Sequence, residues 1–373
     1  MFRRLNKRVA VVLVALAVAA GVEVARENRP SVLRPGVHLN AYVANSGDGT
    51  VSIVDLVRLA TIATVAVGGG PSGLRSLASK KQIWGAASQD GLVWILNAET
   101  GGVEKRIPVG AAPFAVDFSP DGSKAYVAAS GSNSLVAIDT ATQQVVGRAR
   151  TGRRPWLARV APDGQTVLVP CRDDSTLQIF DARTLAPLAT IAVAQHPEQV
   201  VVLPDSSAAF LSATDVNQIS AVDLRRRVLL TNLELGGTPQ GMVLKPDGGE
   251  LYVSVPGSHA IEIINTWTTE VAQSMLVGLA PADGVLTGNA ETLYLSDAAA
   301  GRVLPVGINS RHLYPPITAG RNPGRAQIDP SGDLLLVTNR ESNDLAVIRV
   351  RTSSLLTMVP VGAQPSDVTT LLF

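Results

Sequence analysis

Residues 125–164 of the 373-residue chain read AYVAASGSNSLVAIDTATQQVVGRARTGRRPWLARVAPDG. Short runs in which apolar residues alternate with small or polar ones predict four strands. These runs are 125–128, 134–139, 145–150 and 157–160. The stretch ends on Pro162-Asp163-Gly164, a tight-turn signal. The pattern predicts one four-stranded antiparallel meander.

The meander is one copy of a repeat with a step of 42 residues. Eight prolines mark the step: Pro71, Pro113, Pro155, Pro197, Pro239, Pro281, Pro323 and Pro365. A second series, mostly aromatic, keeps the same step: Tyr42, Trp84, Tyr126, Leu168, Phe210, Tyr252, Tyr294 and Leu336. A third series is Asp55, Asn97, Asp139, Asp181, Asp223 and Asn265, and it lapses at Gly307 and Arg349. Eight copies fill residues 38–373 without insertion or deletion.

A repeat of this length with four strands is typical of a β-propeller blade, because one meander cannot bury both of its faces alone. The chain starts at the second strand of a unit, near Tyr42, and stops after a first strand at 367–373. We therefore predict an all-β, eight-bladed propeller with four antiparallel strands in each blade. The C-terminal strand is expected to join the N-terminal blade and close the ring.

The segments Tyr42-Val43-Ala44-Asn45 and Leu336-Val337-Thr338-Asn339 resemble the repeat motif of the YVTN family of β-propellers. The resemblance covers residues 38–373 and implies the architecture, whereas fold does not imply chemistry. Many members of that family have seven blades, so eight copies are a departure. The resemblance also implies an exported or cell-surface protein.

The N-terminus carries an export signal in this interpretation. Residues 1–8 are basic and an uncharged apolar run follows at 9–22, which is typical of a secretory signal. We expect residues 1–20 to be a signal peptide or an uncleaved anchor that tethers the chain to a membrane through 9–22, with a buried core helix as the weaker alternative. Residues 21–37 are then a linker and 38–373 one propeller domain. The predicted location is periplasmic or extracellular, with the inner membrane as the site of any anchor.

Charge and cysteine content exclude several classes of protein. Loss of residues 1–20 removes four of the 32 basic residues and changes the net charge from +1 to −3, so a nucleic-acid partner is not expected. Cys171 is the single cysteine, which excludes an internal disulfide. We expect it to be a small core or strand-end residue. The four histidines lie at different phases of the repeat, and no metal-ligand spacing links them.

Function is expected in the positions that vary between copies. The innermost strand of each blade lines the channel with alternate residues, and the loops that enter these strands share one rim. The predicted ligand-binding set at the rim and channel mouth is Arg75, Arg154, Trp156, Arg159, His196, Arg321 and Arg325. Arginine forks bind carboxylate or phosphate and tryptophan offers a stacking surface. The alternative is that Arg75, Arg159 and Arg325 pair with Asp117, Asp283 and Asp367 inside a narrow channel.

Two functional hypotheses follow. The first, favoured because no catalytic motif is visible, is a non-enzymatic binding or scaffold propeller that presents its rim to a protein partner or an anionic small molecule. It needs no cofactor or metal. The second is a periplasmic oxidoreductase or cofactor carrier that holds an acidic, haem-like tetrapyrrole over the channel, with His196 as an axial ligand.

Overall fold

A computed structural model describes residues 37–373. The export signal, the membrane tether and the linker up to residue 36 lie outside these residues. From residue 37 onward, no helix is long and apolar enough to cross a membrane. The described part of the chain is almost entirely β-structure, with 32 strands arranged in eight four-stranded antiparallel sheets.

Each sheet is one blade, and we number the blades along the chain. Blade 1 holds β1 (Leu39–Asn45), β2 (Thr50–Asp55) and β3 (Ala60–Ala66). Blade 2 holds β4 (Pro71–Leu77), β5 (Gln82–Ala87), β6 (Leu92–Asn97) and β7 (Val103–Pro108). Blade 3 holds β8 (Pro113–Phe118), β9 (Lys124–Ala129), β10 (Ser134–Asp139) and β11 (Gln144–Arg150). Blade 4 holds β12 (Arg159–Val160), β13 (Thr166–Cys171), β14 (Thr176–Asp181) and β15 (Pro187–Ala192).

The second half of the chain repeats the arrangement. Blade 5 holds β16 (Pro197–Val202), β17 (Ala208–Ala213), β18 (Gln218–Asp223) and β19 (Val228–Glu234). Blade 6 holds β20 (Met242–Leu244), β21 (Glu250–Val255), β22 (Ala260–Asn265) and β23 (Glu270–Leu276). Blade 7 holds β24 (Pro281–Leu286), β25 (Thr292–Asp297), β26 (Arg302–Gly307) and β27 (Ile317–Thr318). Blade 8 holds β28 (Pro323–Ile328), β29 (Leu334–Asn339), β30 (Asp344–Arg349) and β31 (Ser354–Pro360).

The last strand, β32 (Pro365–Leu372), completes blade 1 as its innermost strand. It pairs antiparallel with β1, with Tyr42 opposite Thr369 and Leu39 opposite Leu372. This pairing confirms the eight-bladed fold and the predicted closure of the ring by the C-terminal strand. Closure matters because an open sheet edge would leave a row of unpaired backbone groups.

The core lies between neighbouring blades, and the 42-residue series supply much of it. All eight members of the series that begins at Tyr42 are buried. Three of the tyrosines also bond to the next blade, because each hydroxyl donates to a carbonyl oxygen 56 residues later: Tyr42 to Ala98, Tyr126 to Ala182 and Tyr294 to Val350. Burial raises the pKa of Tyr42 and Tyr126 to about 12. The aromatic series therefore joins the blades by packing and by hydrogen bonds.

The series that begins at Asp55 ends the third strand of a blade and organises the following turn. The Oδ1 atom of Asp55 accepts hydrogen bonds from the backbone N–H groups of Val57 and Arg58. Asp139 and Asp181 accept the equivalent pairs in blades 3 and 4. These side chains stabilise the turns by accepting backbone hydrogen bonds, as expected for a short carboxylate after a strand.

Three strands are shorter than their equivalents in the other blades, and one of them is β20 (Met242–Leu244), the inner strand of blade 6. The inner strand of blade 4 is confined to Arg159–Val160, whereas the sequence predicts 157–160, and an isolated bridge joins Pro155 to Cys171 above it. Its partner strand carries Pro170, which has no N–H to donate to the ladder. In blade 7, Pro315 and Pro316 precede the outer strand β27, which is confined to two residues. Proline, which cannot donate a ladder hydrogen bond, is the physical reason in blades 4 and 7.

The two faces of the ring differ in the loops they carry. We call the upper face the one formed by the loops that enter the inner strands, such as 151–154, and by the hairpins between second and third strands, such as 172–175. The backbone N–H of Asp173 donates to the carbonyl of Arg153, which joins these two kinds of loop. The lower face carries the other turns, including Pro120-Asp121-Gly122 and Arg225-Arg226-Arg227.

Candidate functional site

The upper face has a regular backbone geometry at the entry to the inner strands. Arg154 and His196 stand directly before repeat prolines and have φ values of 49° and 51°. Ala112, Asn322 and Gln364 share this left-handed conformation at the same phase. Because this backbone conformation recurs from blade to blade, it is a feature of the repeat, and it sets the backbone position of the rim residues.

Two aromatic residues meet at the upper mouth of the channel. Phe114 and Trp156 each follow a repeat proline, in blades 3 and 4, and their ring centroids are 4.9 Å apart at an interplanar angle of 31°. Phe114 is 40% exposed. The guanidinium carbon of Arg172 lies 5.9 Å from the centroid of the Trp156 ring, within cation–π range. The pair forms a stacking surface at the mouth.

Charged side chains surround this surface on blades 4 and 5. Arg172 contacts Glu198 at 3.1 Å and Asp215 at 3.5 Å, and Nδ1 of His196 contacts the same Asp215 carboxylate. Burial raises the pKa of Glu198, while the charge of Arg172 opposes that shift. Arg172 is thus held between two carboxylates beside the Trp156 ring.

Arg154 is the more loosely held arginine of this sector. Its Nη1 atom lies 3.6 Å from Oδ1 of Asp173, and its side chain is 52% exposed. Its backbone N–H donates to Oδ1 of Asn133 at 2.9 Å. The backbone is therefore fixed while the guanidinium remains accessible to a ligand. We call the group Phe114, Arg154, Trp156, Arg172, His196, Glu198 and Asp215 the mouth cluster.

Arg321 is placed away from the mouth cluster. It belongs to the loop between blades 7 and 8, four blades around the ring from Arg154. Its Nη2 atom donates to the carbonyl oxygen of Glu341 at 3.3 Å, and it borders a separate cleft of about 590 Å³ with Asn322 and Glu341. The structure thus brings Arg154, Trp156 and His196 into one sector and leaves Arg321 in another.

Below the mouth, six charges alternate in sign around six consecutive blades. In ring order from blade 7 to blade 4 they are Asp283, Arg325, Asp367, Arg75, Asp117 and Arg159. Arg325 lies 3.4 Å from both Asp283 and Asp367, and Asp117 lies 3.8 Å from Arg75 and 3.4 Å from Arg159. We call this set the charge belt.

The aspartates of the belt also hold neighbouring blades together. Asp117 accepts the backbone N–H of Val160, Asp283 that of Ala326 and Asp367 that of Leu74. Each bond crosses to the next blade. The arginines Arg75, Arg159 and Arg325 are therefore paired inside the channel, as in the structural alternative, and the belt stabilises the ring.

Cys171 and Arg225 lie outside the mouth cluster and the charge belt. Cys171 is buried at the end of β13, and burial raises the pKa of its thiol to about 12. Arg225, on the lower face, pairs with Asp205 at 3.3 Å. Within residues 37–373, no group of three or more His, Cys, Asp or Glu side chains is arranged to hold a metal ion.

Sequence reasoning missed Phe114 and Arg172. Phe114 occupies the same phase of the repeat as Trp156, so a comparison of the residues that follow the repeat prolines would have found it. Arg172 lies in a hairpin between second and third strands, and its distance from Trp156 depends on how this hairpin folds over the loop 151–154. No spacing in the sequence reports that distance.

Solved structures with this architecture include proteins of several kinds. The dihydro-heme d1 dehydrogenase NirN in complex with DHE has a TM-score of 0.75 and 17% sequence identity, over 92% of this chain and 77% of that one. Hydrazine synthase of Kuenenia stuttgartiensis has a TM-score of 0.61 and 20% identity, over 75% of this chain and 96% of that one. A functionally unknown protein from Desulfotomaculum acetoxidans DSM 771 has a TM-score of 0.61 and 11% identity, over 89% of this chain and 98% of that one. At these identities the likeness shows the fold alone.

Sequence comparison assigns the family more directly than these structures do. No curated protein sequence matches the chain. The family model of the YNCE-like beta-propeller matches residues 72–373, which is most of the chain and seven of the eight blades. The 42-residue repeat, the closed ring and this match agree, and the chain belongs to the YNCE-like beta-propeller family.

Proposed function

We propose that the protein is a non-enzymatic binding propeller that holds an acidic, planar small molecule over the upper mouth of its channel. The observation that carries the proposal is the Phe114–Trp156 pair, whose rings lie 4.9 Å apart at the mouth. Aromatic side chains of this kind bind flat ring systems by stacking. Arg154, with a side chain 52% exposed, and His196, with a side chain 38% exposed, belong to the same cluster as this pair.

Arg154 is the residue proposed to take an acidic group of the ligand. Its contact with Asp173 is 3.6 Å long and both side chains are substantially exposed. An exposed pair of this kind contributes only about 0–1 kcal/mol, so the guanidinium can exchange its partner for a ligand carboxylate at little cost. Arg172 is engaged by two carboxylates and is assigned to positioning the Trp156 ring.

A small molecule fits the mouth better than a protein partner does. A stable protein interface buries roughly 800 Å² on each partner, whereas the surface proposed here consists of two aromatic rings and the few charged side chains around them. The proposal retains the export of the protein to the periplasm or the extracellular space, which rests on residues 1–22. There, the protein would carry or sequester the ligand without transforming it.

A second candidate function is a redox cofactor carrier, and His196 favours it. Its Nδ1 atom lies against the Asp215 carboxylate, which would leave Nε2 as the nitrogen to ligate an iron if a haem-like ring were bound. The aromatic pair and His196 suit a haem-like tetrapyrrole. The name of NirN, dihydro-heme d1 dehydrogenase, describes a propeller-containing protein that acts on a molecule of this class.

The experiment measures binding of protoporphyrin IX and of its dimethyl ester by fluorescence titration at low and moderate salt. The wild-type protein is expected to bind the diacid at least tenfold more tightly than the neutral ester. Arg154→Glu should remove this preference, while Arg321→Glu, four blades away, should leave it unchanged. Absence of saturable binding of either porphyrin, or equal effects of the two substitutions, would overturn the proposal.

A further variant, His196→Ala, separates the second candidate from the first. Iron protoporphyrin is added to the wild-type protein and to His196→Ala, and the visible spectrum is recorded. If His196 is an axial ligand, its loss shifts the main absorption band, whereas a stacked but unligated ring leaves the band unchanged. The second result leaves the binding function and removes the redox role of His196.

A further inference from the structure

The charge belt is interrupted, and Arg159 lies at its positive end. Blades 5 and 6 separate Arg159 from Asp283 and carry Val201 and Val243 at the position equivalent to Arg159. Arg159 therefore has a carboxylate neighbour on one side only, Asp117 at 3.4 Å. Its Nε atom is buried and makes no hydrogen bond. A buried arginine donor without a partner is unusual in a folded protein.

A cavity of about 390 Å³ lies beside Arg159 in the lower half of the channel. Its wall is mainly apolar and consists of Phe118, Val160, Val200–Val202 and Leu244, with Arg159 and Asp117 as its charged members. Pro120 and Pro162, from the lower-face turns, border its outer end. An apolar cavity with few convergent polar groups is the usual form of a small-molecule site.

We propose that this cavity binds an amphipathic monocarboxylate, with the carboxylate on Arg159 and the apolar tail against the wall formed by Val200–Val202 and Leu244. A carboxylate is the matching acceptor for a guanidinium with free donors, since two N–H groups bind its two oxygens side by side. Asp117 does not use up these donors, because it also accepts the N–H of Val160 and faces Arg75.

Arg325, on the opposite side of the channel, differs from Arg159 because a carboxylate flanks it on both sides. Arg325 lies between Asp283 and Asp367, at 3.4 Å from each, and these carboxylates raise its pKa. Burial and the neighbouring Arg159 lower the pKa of Arg75. The cavity of about 700 Å³ beside Arg325 therefore faces an arginine whose positive charge is already balanced by two carboxylates.

Calorimetric titration with octanoate tests the proposal, with octanol as the uncharged control and acetate as the control without a tail. Octanoate is expected to bind at least tenfold more tightly than either control. Arg159→Gln should weaken octanoate binding by at least tenfold and leave octanol binding within twofold. Arg325→Gln is the matched control and should leave octanoate binding within twofold of wild type.

A second variant guards against an effect of misfolding. Asp117→Asn keeps an oxygen that accepts the N–H of Val160 and removes the charge that competes for Arg159, so octanoate should bind more tightly, by about threefold or more. Unchanged binding in both Arg159→Gln and Asp117→Asn overturns the proposal, as does acetate binding that equals octanoate binding. Two cross-checks separate this site from the mouth cluster: Trp156→Ala is expected to leave octanoate binding within twofold of wild type, and Arg159→Gln is expected to leave porphyrin binding within twofold.

Discussion

The hydroxyl of Tyr126 donates a 2.6 Å hydrogen bond to the carbonyl oxygen of Ala182, 56 residues along the chain and in the next blade. The same bond recurs from Tyr42 to Ala98 and from Tyr294 to Val350. It links a core aromatic residue to the turn after the third strand of its neighbour. Because each bond joins two blades through one hydroxyl, a single substitution can measure how much the bond stabilises the ring.

Tyr126→Phe is expected to lower the free energy of unfolding by about 1–2 kcal/mol, because the buried carbonyl of Ala182 loses its donor. Urea unfolding followed by tryptophan fluorescence measures the change. Tyr314→Phe is the control, since Tyr314 is exposed at the surface and should unfold like wild type. Equal stability of all three proteins would contradict the assigned role of the Tyr126 hydroxyl.

Deletion of residues 366–373 is expected to expose the edge of β1 and to remove the partner of Arg325 at Asp367. The truncated protein should melt at a lower temperature and elute as aggregates in size-exclusion chromatography. A permuted chain that begins at residue 361 and joins Phe373 to Val37 through a short linker keeps β32 beside β1. It should behave like the full-length protein, and a stable monomeric truncation would refute the closure of the ring by β32.

Alkaline pH is expected to destabilise the protein between about pH 9 and pH 12. Burial raises the pKa of the Cys171 thiol from 9.0 to about 12 and that of the Tyr126 hydroxyl from 10.0 to about 12. Above pH 9 the unfolded chain loses these protons while the folded chain keeps them, so the free energy of unfolding falls as pH rises. Unfolding midpoints at pH 7, 9 and 11 measure the effect.

Cys171→Ser provides the comparison for that pH series. The variant should show a smaller loss of stability between pH 9 and pH 11, and its porphyrin binding should match wild type. Iodoacetamide should label Cys171 in the wild-type protein only after unfolding. Rapid labelling of the folded protein at neutral pH would show that the thiol is reactive.

Arg325→Met is expected to reduce stability by about 1–2 kcal/mol, since Asp283 and Asp367 then face each other without a cation. The figure is below that of a deeply buried pair because the Arg325 side chain is 45% exposed. Adding Asp283→Asn should restore much of the loss, because its amide oxygen still accepts the N–H of Ala326. A double variant that is less stable than Arg325→Met would show that the belt does not act through charge pairing.

The sequence predicted the blades well because every blade repeats one 42-residue register. Blade number, the inter-blade position of Tyr126 and the pairing of β32 with β1 all follow from that register. The rim was harder to predict. Arg154 and Arg321 lie in equivalent loops, one and two residues before a repeat proline, yet these loops are four blades apart. The contacts of Arg172 with Trp156, Glu198 and Asp215 depend on loop conformations that no periodicity encodes.

The most direct test of the proposed function compares two tryptophans in a protoporphyrin IX titration. Trp156 lies in the mouth cluster, whereas Trp267 is 76% exposed in a lower-face turn. If the ligand stacks on the Phe114–Trp156 pair, Trp156→Ala weakens porphyrin binding by at least tenfold and Trp267→Ala leaves it within twofold of wild type. Normal binding in Trp156→Ala, or an equal loss in Trp267→Ala, would contradict a ligand site at the upper mouth of the channel.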